Sequence, residues 1–212
     1  MLMTRIRLNP LSRKTISAMT NPNLLHGALE QARPGERTRL LWRIDELNEK
    51  TYLLVVSEKP INSQNIIDQF GYPGESAETR DYETMLKRIT ENSLWQFKLC
   101  ANPVLIQSTK NSNTKRGKVK GLNSYKERMD WLLKKQKDFG FSVNLDKTGI
   151  VSSRFLSFKK AGNNSPVSLT ECVFTGILKV TDVELFRKAL CEGIGKGKAY
   201  GMGLLTIVPV YE

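Results

Sequence analysis

The sequence predicts an α+β fold built from two successive units, each with the element order β-α-β-β-α-β. Strand-like alternation of apolar and polar residues and short helical stripes follow one another in the same order in both halves of the chain. A short, mostly polar segment at 87–92 separates the halves. The composition, 40% hydrophobic and 25% charged, is typical of globular domains. We therefore expect two domains with antiparallel sheets, at residues 1–90 and 94–212.

The first unit opens with a strand at 4–8, in which aliphatic residues alternate with arginines. A helix is predicted to begin at Asn21, because Asn is a favourable N-cap and Pro22 suits the first helical position. The Pro-Gly pair at 34–35 ends it. The remaining predicted elements are strands at 39–45 and 51–57, a helix at 63–70 and a weak strand at 79–84.

The second unit repeats this order with different lengths. Its helices are recognised by apolar stripes, such as Val183, Phe186 and Leu190 on one face. The segment at 108–120 is rich in turn-forming residues and is expected to be a basic loop. The predicted elements are a strand at 94–101, a helix at 125–139, a strand at 141–145, hairpin strands at 151–158 and 169–180, a helix at 182–192 and a strand at 203–210.

The charge of the chain favours a polyanionic partner. Lys and Arg number 33 against 21 Asp and Glu, giving a net charge of +12. The partner could be RNA, DNA or an anionic membrane surface, and a merely soluble basic protein is the alternative. The longest apolar runs are too short to cross a bilayer, so a membrane is disfavoured. No acidic residue occurs at 92–126 or 147–170, and such basic segments suit a phosphate backbone.

Metal and redox chemistry receive no support from the residue pattern. The three cysteines are widely spaced without a Cys-x-x-Cys pair, and the chain has one histidine, His26. The N-terminus also lacks the continuous apolar stretch of a secretory signal. We expect reduced thiols, no cofactor or histidine-held metal, and a cytoplasmic location.

A glycine-rich segment lies near the C-terminus, before the apolar run at 204–208. Glycine lets the backbone approach an anion, and Lys196 and Lys198 add positive charge there. The glycines can equally end a helix and permit close packing, so both roles are expected. Tyr200 can either stack on a base or pack. Because the segment follows a helix and precedes a strand, it does not match nucleotide-binding loops. Its glycines are Gly193, Gly195, Gly197, Gly201 and Gly203.

Four segments resemble the CRISPR-associated endoribonuclease of the CasE family, the RNA-processing subunit of the Cascade complex. The segments are Leu8-Asn-Pro-Leu-Ser12, Asn21-Pro22 with His26, Leu99-Cys-Ala-Asn-Pro103 and Gly193-Ile-Gly-Lys-Gly-Lys-Ala-Tyr-Gly-Met-Gly-Leu-Leu205. The resemblance implies two ferredoxin-like, RRM-related domains. It also implies binding of the CRISPR repeat stem-loop, one metal-independent cut at the 3′ base of the stem, a 2′,3′-cyclic phosphate product, and retention of the mature crRNA within Cascade.

The resemblance places the catalytic histidine of the family on His26. Imidazole, with an unperturbed pKa of about 6.5, can accept a proton from a ribose 2′-OH or give one to the leaving 5′ oxygen, and both roles stay open. Asn23, one helical turn earlier, stands where family members often have tyrosine; Asn can hydrogen-bond a phosphate or ribose but is a poor proton carrier. A non-catalytic subunit that binds an RNA hairpin is therefore the alternative.

The predicted RNA-binding residues have three origins. Lys159 and Lys160 match a basic pair that the family places on a hairpin in the RNA major groove. Lys196 and Lys198 come from the glycine-rich segment. Charge alone suggests a further set, consisting of Lys110, Lys115, Arg116, Lys118 and Lys120.

Overall fold

The computed structural model describes residues 1–35, 38–107, 118–159 and 166–210. Alternating apolar residues form the strands of the first half, and N-caps such as Asn21 and Asn62 begin its helices. The elements are β1 (Leu2–Arg7), α1 (Arg13–Thr20), α2 (Pro22–Gln31), β2 (Leu40–Leu47), β3 (Lys50–Ser57), α3 (Ser63–Phe70), β4 (Glu78–Asp81) and α4 (Glu83–Leu86).

The first sheet is antiparallel and has the order β2-β3-β1-β4. In β1, Ile6 lies opposite Leu53 of β3, and both are fully buried. Leu25 and Leu29 of α2 belong to the same hydrophobic cluster, as does Ile66 of α3. The helices therefore cover one face of the sheet, as expected for a ferredoxin-like unit.

The second half contains β5 (Leu94–Ala101), β6 (Val104–Gln107), β7 (Lys118–Gly121), α5 (Tyr125–Asp138), β8 (Phe141–Val143), β9 (Gly149–Phe158), β10 (Val167–Val180), α6 (Val183–Glu192) and β11 (Leu205–Pro209). Short 3-10 helices lie at Leu145–Lys147 and Lys198–Tyr200. The second sheet has the antiparallel order β11-β5-β10-β8, and β9 also pairs with β10. The predicted α+β class with two ferredoxin-like, antiparallel units is confirmed.

The two sheets share a hydrophobic cluster. Leu41 and Val56 of the first sheet lie in it together with Trp95 and Phe97 of β5. Because this cluster continues from one unit into the other, packing couples their positions. The division into domains at 1–90 and 94–212 stays a prediction.

Four local expectations were wrong. The strand predicted at 79–84 ends at Asp81, whose carboxylate accepts the backbone N–H of Glu83 and starts α4. The strand predicted at 141–145 stops at Val143, because Asn144 caps the 3-10 turn that follows. The strand predicted at 203–210 begins only at Leu205. Part of the expected loop at 108–120 is strand β7, which pairs with β6.

Helix α1 was not predicted from the sequence. Only Thr15 and Ala18 of its residues are buried, so its apolar stripe is too weak to recognise. The Thr15 hydroxyl donates to the carbonyl oxygen of Phe70, which ends α3. This tertiary contact stabilises α1 against its neighbours.

The described ranges contain no helix with the length and apolarity needed to span a membrane. Cys100 and Cys172 are buried free thiols, and Cys191 is half-buried and also free.

Candidate functional site

Helix α2 presents the only histidine of the sequence at the junction of the two units. The Asn21 side chain accepts the backbone N–H of Asn23 at 3.2 Å, and Pro22 occupies the first turn. Leu25 and Leu29 face the core, which turns His26 away from it. The His26 side chain is 24% exposed, so it is both held and accessible.

His26 opens onto a groove formed by both halves of the chain. Helix α2 and the residues after it line one part, the start of β2 lines another, and the glycine-rich segment closes it. The lining residues are His26, Glu30, Arg33, Thr38, Arg39, Leu40, Trp42, Glu58, Glu192, Lys198 and Ala199. Of the predicted site residues in the described ranges, this groove brings together His26 and Lys198.

A carboxylate and an arginine flank the imidazole. Oε1 of Glu30 lies 3.7 Å from Nδ1 of His26 and 2.9 Å from Nη2 of Arg33. Arg33 is fixed in turn, because its Nη1 donates to the Thr38 carbonyl at 2.6 Å. The 3.7 Å separation exceeds a direct hydrogen bond but lies within ion-pair range.

Tyr200 packs rather than projecting into solvent. Its ring meets that of His26 edge to face with centroids 5.9 Å apart, and that of Phe158 at 5.0 Å. Only 9% of Tyr200 is exposed. The tyrosine thus links the histidine of the first unit to the β9–β10 hairpin of the second, and the packing alternative applies in this structure.

The glycine-rich segment owes its path to close backbone packing. All five of its glycines have positive φ, the region that disfavours other residues. A Cβ on Gly201 would lie 2.8 Å from Cζ3 of Trp42, and one on Gly193 would lie 2.8 Å from Cδ2 of Leu41. Because Leu41 and Trp42 belong to β2, these glycines allow the segment to rest directly on the first unit.

The two lysines of this segment have different surroundings. Lys198 is half-buried in the groove, where burial first and the nearby Arg39 second lower its pKa. Lys196 is exposed, and its backbone forms an isolated bridge with Asn102. The Asn102 side chain is buried and accepts the backbone N–H of Thr170, so the Asn-Pro motif after β5 anchors β10.

The other predicted site residues lie elsewhere. Asn23 is half-buried one turn before His26 and is not among the described residues lining the groove. Lys120 in β7 and Lys159 after β9 are exposed, also outside the groove lining. Lys118 lies in β7. Four predicted RNA-binding residues fall outside the described ranges, namely Lys110, Lys115, Arg116 and Lys160.

Sequence reasoning missed the groove residues Glu30, Arg33 and Arg39. The spacing of Glu30, four residues after His26, was a detectable signal, because such residues share a helix face. Arg39 was recognised only as the start of a strand. Its position beside Lys198 depends on contact between the two units and has no local signature.

A buried ion cluster fixes the two units against each other. The Arg43 guanidinium binds both carboxylate oxygens of Asp45, at 2.9 and 2.6 Å, and donates to the carbonyls of Lys98 and Leu204. Nζ of Lys98 lies 2.7 Å from the same carboxylate. Arg43 thus connects β2 to β5 and to the residue preceding β11, next to the glycine-rich segment.

Fold and groove define a protein of tandem ferredoxin-like units with one histidine at their junction. A family described as CRISPR associated protein matches residues 1–209. The chain belongs to this family, and the resemblance predicted from its four sequence segments is confirmed.

Individual relatives match over nearly the whole chain. The CRISPR-associated endoribonuclease Cse3 of Thermus thermophilus is 29% identical over 99% of this chain and 100% of its own. A structure of Thermus thermophilus Cse3 with an RNA representing a pre-cleavage complex matches with a TM-score of 0.80 at 24% identity, covering 98% of each chain. A chain of a CRISPR RNA-guided surveillance complex matches with a TM-score of 0.67 at 22% identity, over 99% of this chain and 100% of its own.

Proposed function

We propose that this protein is a metal-independent endoribonuclease that binds the stem-loop of a CRISPR repeat and cuts precursor crRNA at the 3′ base of the stem. The observation that carries the proposal is the placement of His26 in a groove beside Lys198, with the two residues contributed by different units. The full-length similarity to a relative named as an endoribonuclease supports the same conclusion.

The proposed reaction is an internal transesterification. The 2′-OH attacks the adjacent phosphorus, the bond to the 5′ oxygen breaks, and the products are a 2′,3′-cyclic phosphate and a free 5′-OH. His26 moves one of the two protons, as acid or as base. Asn23 contributes a hydrogen bond to phosphate or ribose. Lys198 stabilises the negative charge that develops on the phosphorane-like transition state.

RNA recognition is assigned to the basic surface of the second unit. Lys159 directly follows β9, which forms a long antiparallel pair with β10, and Lys160 is assigned to the same basic pair by the family resemblance. A thin hairpin can enter the deep major groove of an A-form stem, where a helix does not fit. Lys196 and the basic residues at 110–120 add backbone contacts, so affinity should fall steeply with salt.

After cleavage, the protein is proposed to stay on the crRNA as a subunit of a Cascade complex in the cytoplasm. Its structural similarity to a chain of a CRISPR RNA-guided surveillance complex supports this partner assignment. Co-purification of crRNA and Cascade subunits with the tagged protein would test it. Recovery of protein without either would contradict it.

Cleavage is tested with purified protein and end-labelled repeat RNA in EDTA. We expect one cut at the 3′ base of the stem, with a cyclic phosphate on the upstream product. His26→Ala should abolish turnover while leaving hairpin affinity nearly unchanged. A single 2′-deoxy substitution at the scissile nucleotide should have the same effect, and cutting of that RNA would refute 2′-OH attack.

The second candidate is a non-catalytic RNA-hairpin subunit, favoured by Asn23, because asparagine cannot replace a tyrosine as proton carrier. The variant Asn23→Tyr separates the candidates. If the natural protein binds the hairpin without cutting and Asn23→Tyr cuts, the protein is a binding subunit. If the natural protein cuts, the endoribonuclease assignment stands.

A further inference from the structure

Arg39 lies beside the proposed proton-transfer site but has no assigned role. It immediately precedes β2 and is exposed to solvent. It lines the same groove as His26 of α2 and Lys198 of the 3-10 helix. Helix α2, the segment before β2 and the 3-10 helix therefore each contribute one basic residue to the lining of one groove.

Arg39 and Lys198 differ from Arg33 in their ion pairing. Within the described ranges, the groove carboxylate of Glu30 forms an ion pair with Arg33, whereas no carboxylate forms an ion pair with Arg39 or Lys198. Arg39 lowers the pKa of Lys198 and Glu192 raises it, and Arg39 is the larger of these two causes. Two cations that line one groove, neither of them in an ion pair with a described carboxylate, form a site that an anion would stabilise.

The groove also contains acidic residues. Glu58 and Glu192 line the groove and are exposed, as Arg39 is, so solvent screens all three charges. Lys198 is half-buried, where a nearby charge acts more strongly. Among these groups, the half-buried Lys198 charge is therefore the least screened, and an anion in the groove would stabilise it most.

The chemistry of these two side chains suits a phosphodiester. Guanidinium presents parallel N–H donors that match two oxygens of one phosphate, and ammonium adds a compact charge. During transesterification, negative charge grows on the non-bridging phosphate oxygens, and preorganised donors at that point lower the barrier.

We propose that Arg39 and Lys198 form a two-cation clamp on the non-bridging oxygens of the scissile phosphate, with Arg39 as a further catalytic residue. The clamp rests on the proposed function and adds to it a residue from the first unit. Its two halves come from different units, and they are aligned by the packing of the glycine-rich segment on β2. Rigid alignment matters because small displacements from a productive geometry cost large factors in rate.

The test compares Arg39→Ala and Arg39→Lys with natural protein in single-turnover cleavage at saturating enzyme. Arg39→Ala should cut ~100-fold more slowly, the scale of losing one transition-state donor. Arg39→Lys should recover little, because an ammonium lacks the two-pronged geometry. The dissociation constant of uncleavable 2′-deoxy RNA should change less than about tenfold, because other phosphate contacts dominate affinity.

The matched control is Arg80→Ala, an exposed arginine of β4 that does not line this groove. It should cut at the natural rate. Both alanine variants should unfold at the natural urea concentration, because both arginines are exposed. Equal rates for Arg39→Ala and natural protein, or a rate loss matched by an equal affinity loss, would overturn the clamp while leaving the endoribonuclease proposal intact.

A double-mutant cycle tests whether the two cations act on one phosphate. Arg39→Ala and Lys198→Ala combined should slow cleavage by less than the product of the separate effects, because residues of one site couple. Strictly multiplicative effects would contradict a joint clamp. Absence of cleavage by the natural protein would remove both proposals together, an outcome distinct from failure of the clamp alone.

Discussion

Replacing Gly201 by alanine should lower the free energy of unfolding by more than the strain of a left-handed backbone accounts for. Gly201 has φ of 78°, and its Cβ would lie 2.8 Å from Cζ3 and 3.0 Å from Cη2 of Trp42. The left-handed backbone costs about 1–2 kcal/mol for a non-glycine residue. Forcing a methyl group against the buried indole adds about 1–3 kcal/mol. The expected total loss in the free energy of unfolding is about 2–5 kcal/mol.

Gly74→Ala is the matched control, because Gly74 has φ of 82° but open space where the Cβ of an alanine would lie. This variant should lose only the backbone term of about 1–2 kcal/mol. Urea unfolding followed by tryptophan fluorescence measures both free energies. If the two variants differ by less than about 0.5 kcal/mol, the packing term has been overestimated and the close approach to Trp42 does not decide the path of the segment.

Two further predictions concern the buried interior. Arg43→Met should lower the free energy of unfolding by about 3–5 kcal/mol, because it removes a guanidinium from a buried ion cluster. Urea unfolding measures this loss, and a value below about 1 kcal/mol would show that the cluster contributes little to stability. Burial raises the pKa of Cys172 to about 11 from an ordinary value near 9. The unfolded thiol therefore ionises first, and its contribution to stability, full below about pH 9, is lost as pH rises to about 11. Urea midpoints between these pH values should fall less in Cys172→Ala than in natural protein, and equal slopes would contradict the assignment.

Much of the fold was predictable because its signals are local. Asn21 and Pro22 begin α2 as expected, and the apolar stripe that follows is buried. The alternation in β1 and the stripe of α6 likewise match their buried faces. Helix α1 and the β6–β7 pair escaped prediction, because docking and pairing decide them rather than a clear stripe. The turn residues around 108–120 suggested a loop, although β7 occupies its end.

The candidate site was predictable in its components and not in its assembly. His26 and Lys198 could be singled out by residue type and by the family resemblance, but neither sequence segment carries information on the other. Their meeting depends on the shared hydrophobic cluster and on Arg43, which donates to backbone carbonyls of the second unit. The position of Arg39 in the groove, and with it the role proposed for this residue, depends on that same contact.

By itself, the sequence determined the class of fold, the positions of most strands and helices, the basic character and the family. Those properties depend on periodicity, caps and short motifs, which act over a few residues. Only the tertiary structure decided that the glycine-rich segment rests on Trp42, that Tyr200 packs against His26, and that Arg39 lines the same groove as Lys198. The physical reason is that such contacts join residues far apart in the chain, and their geometry is set by how two sheets and their helices pack together.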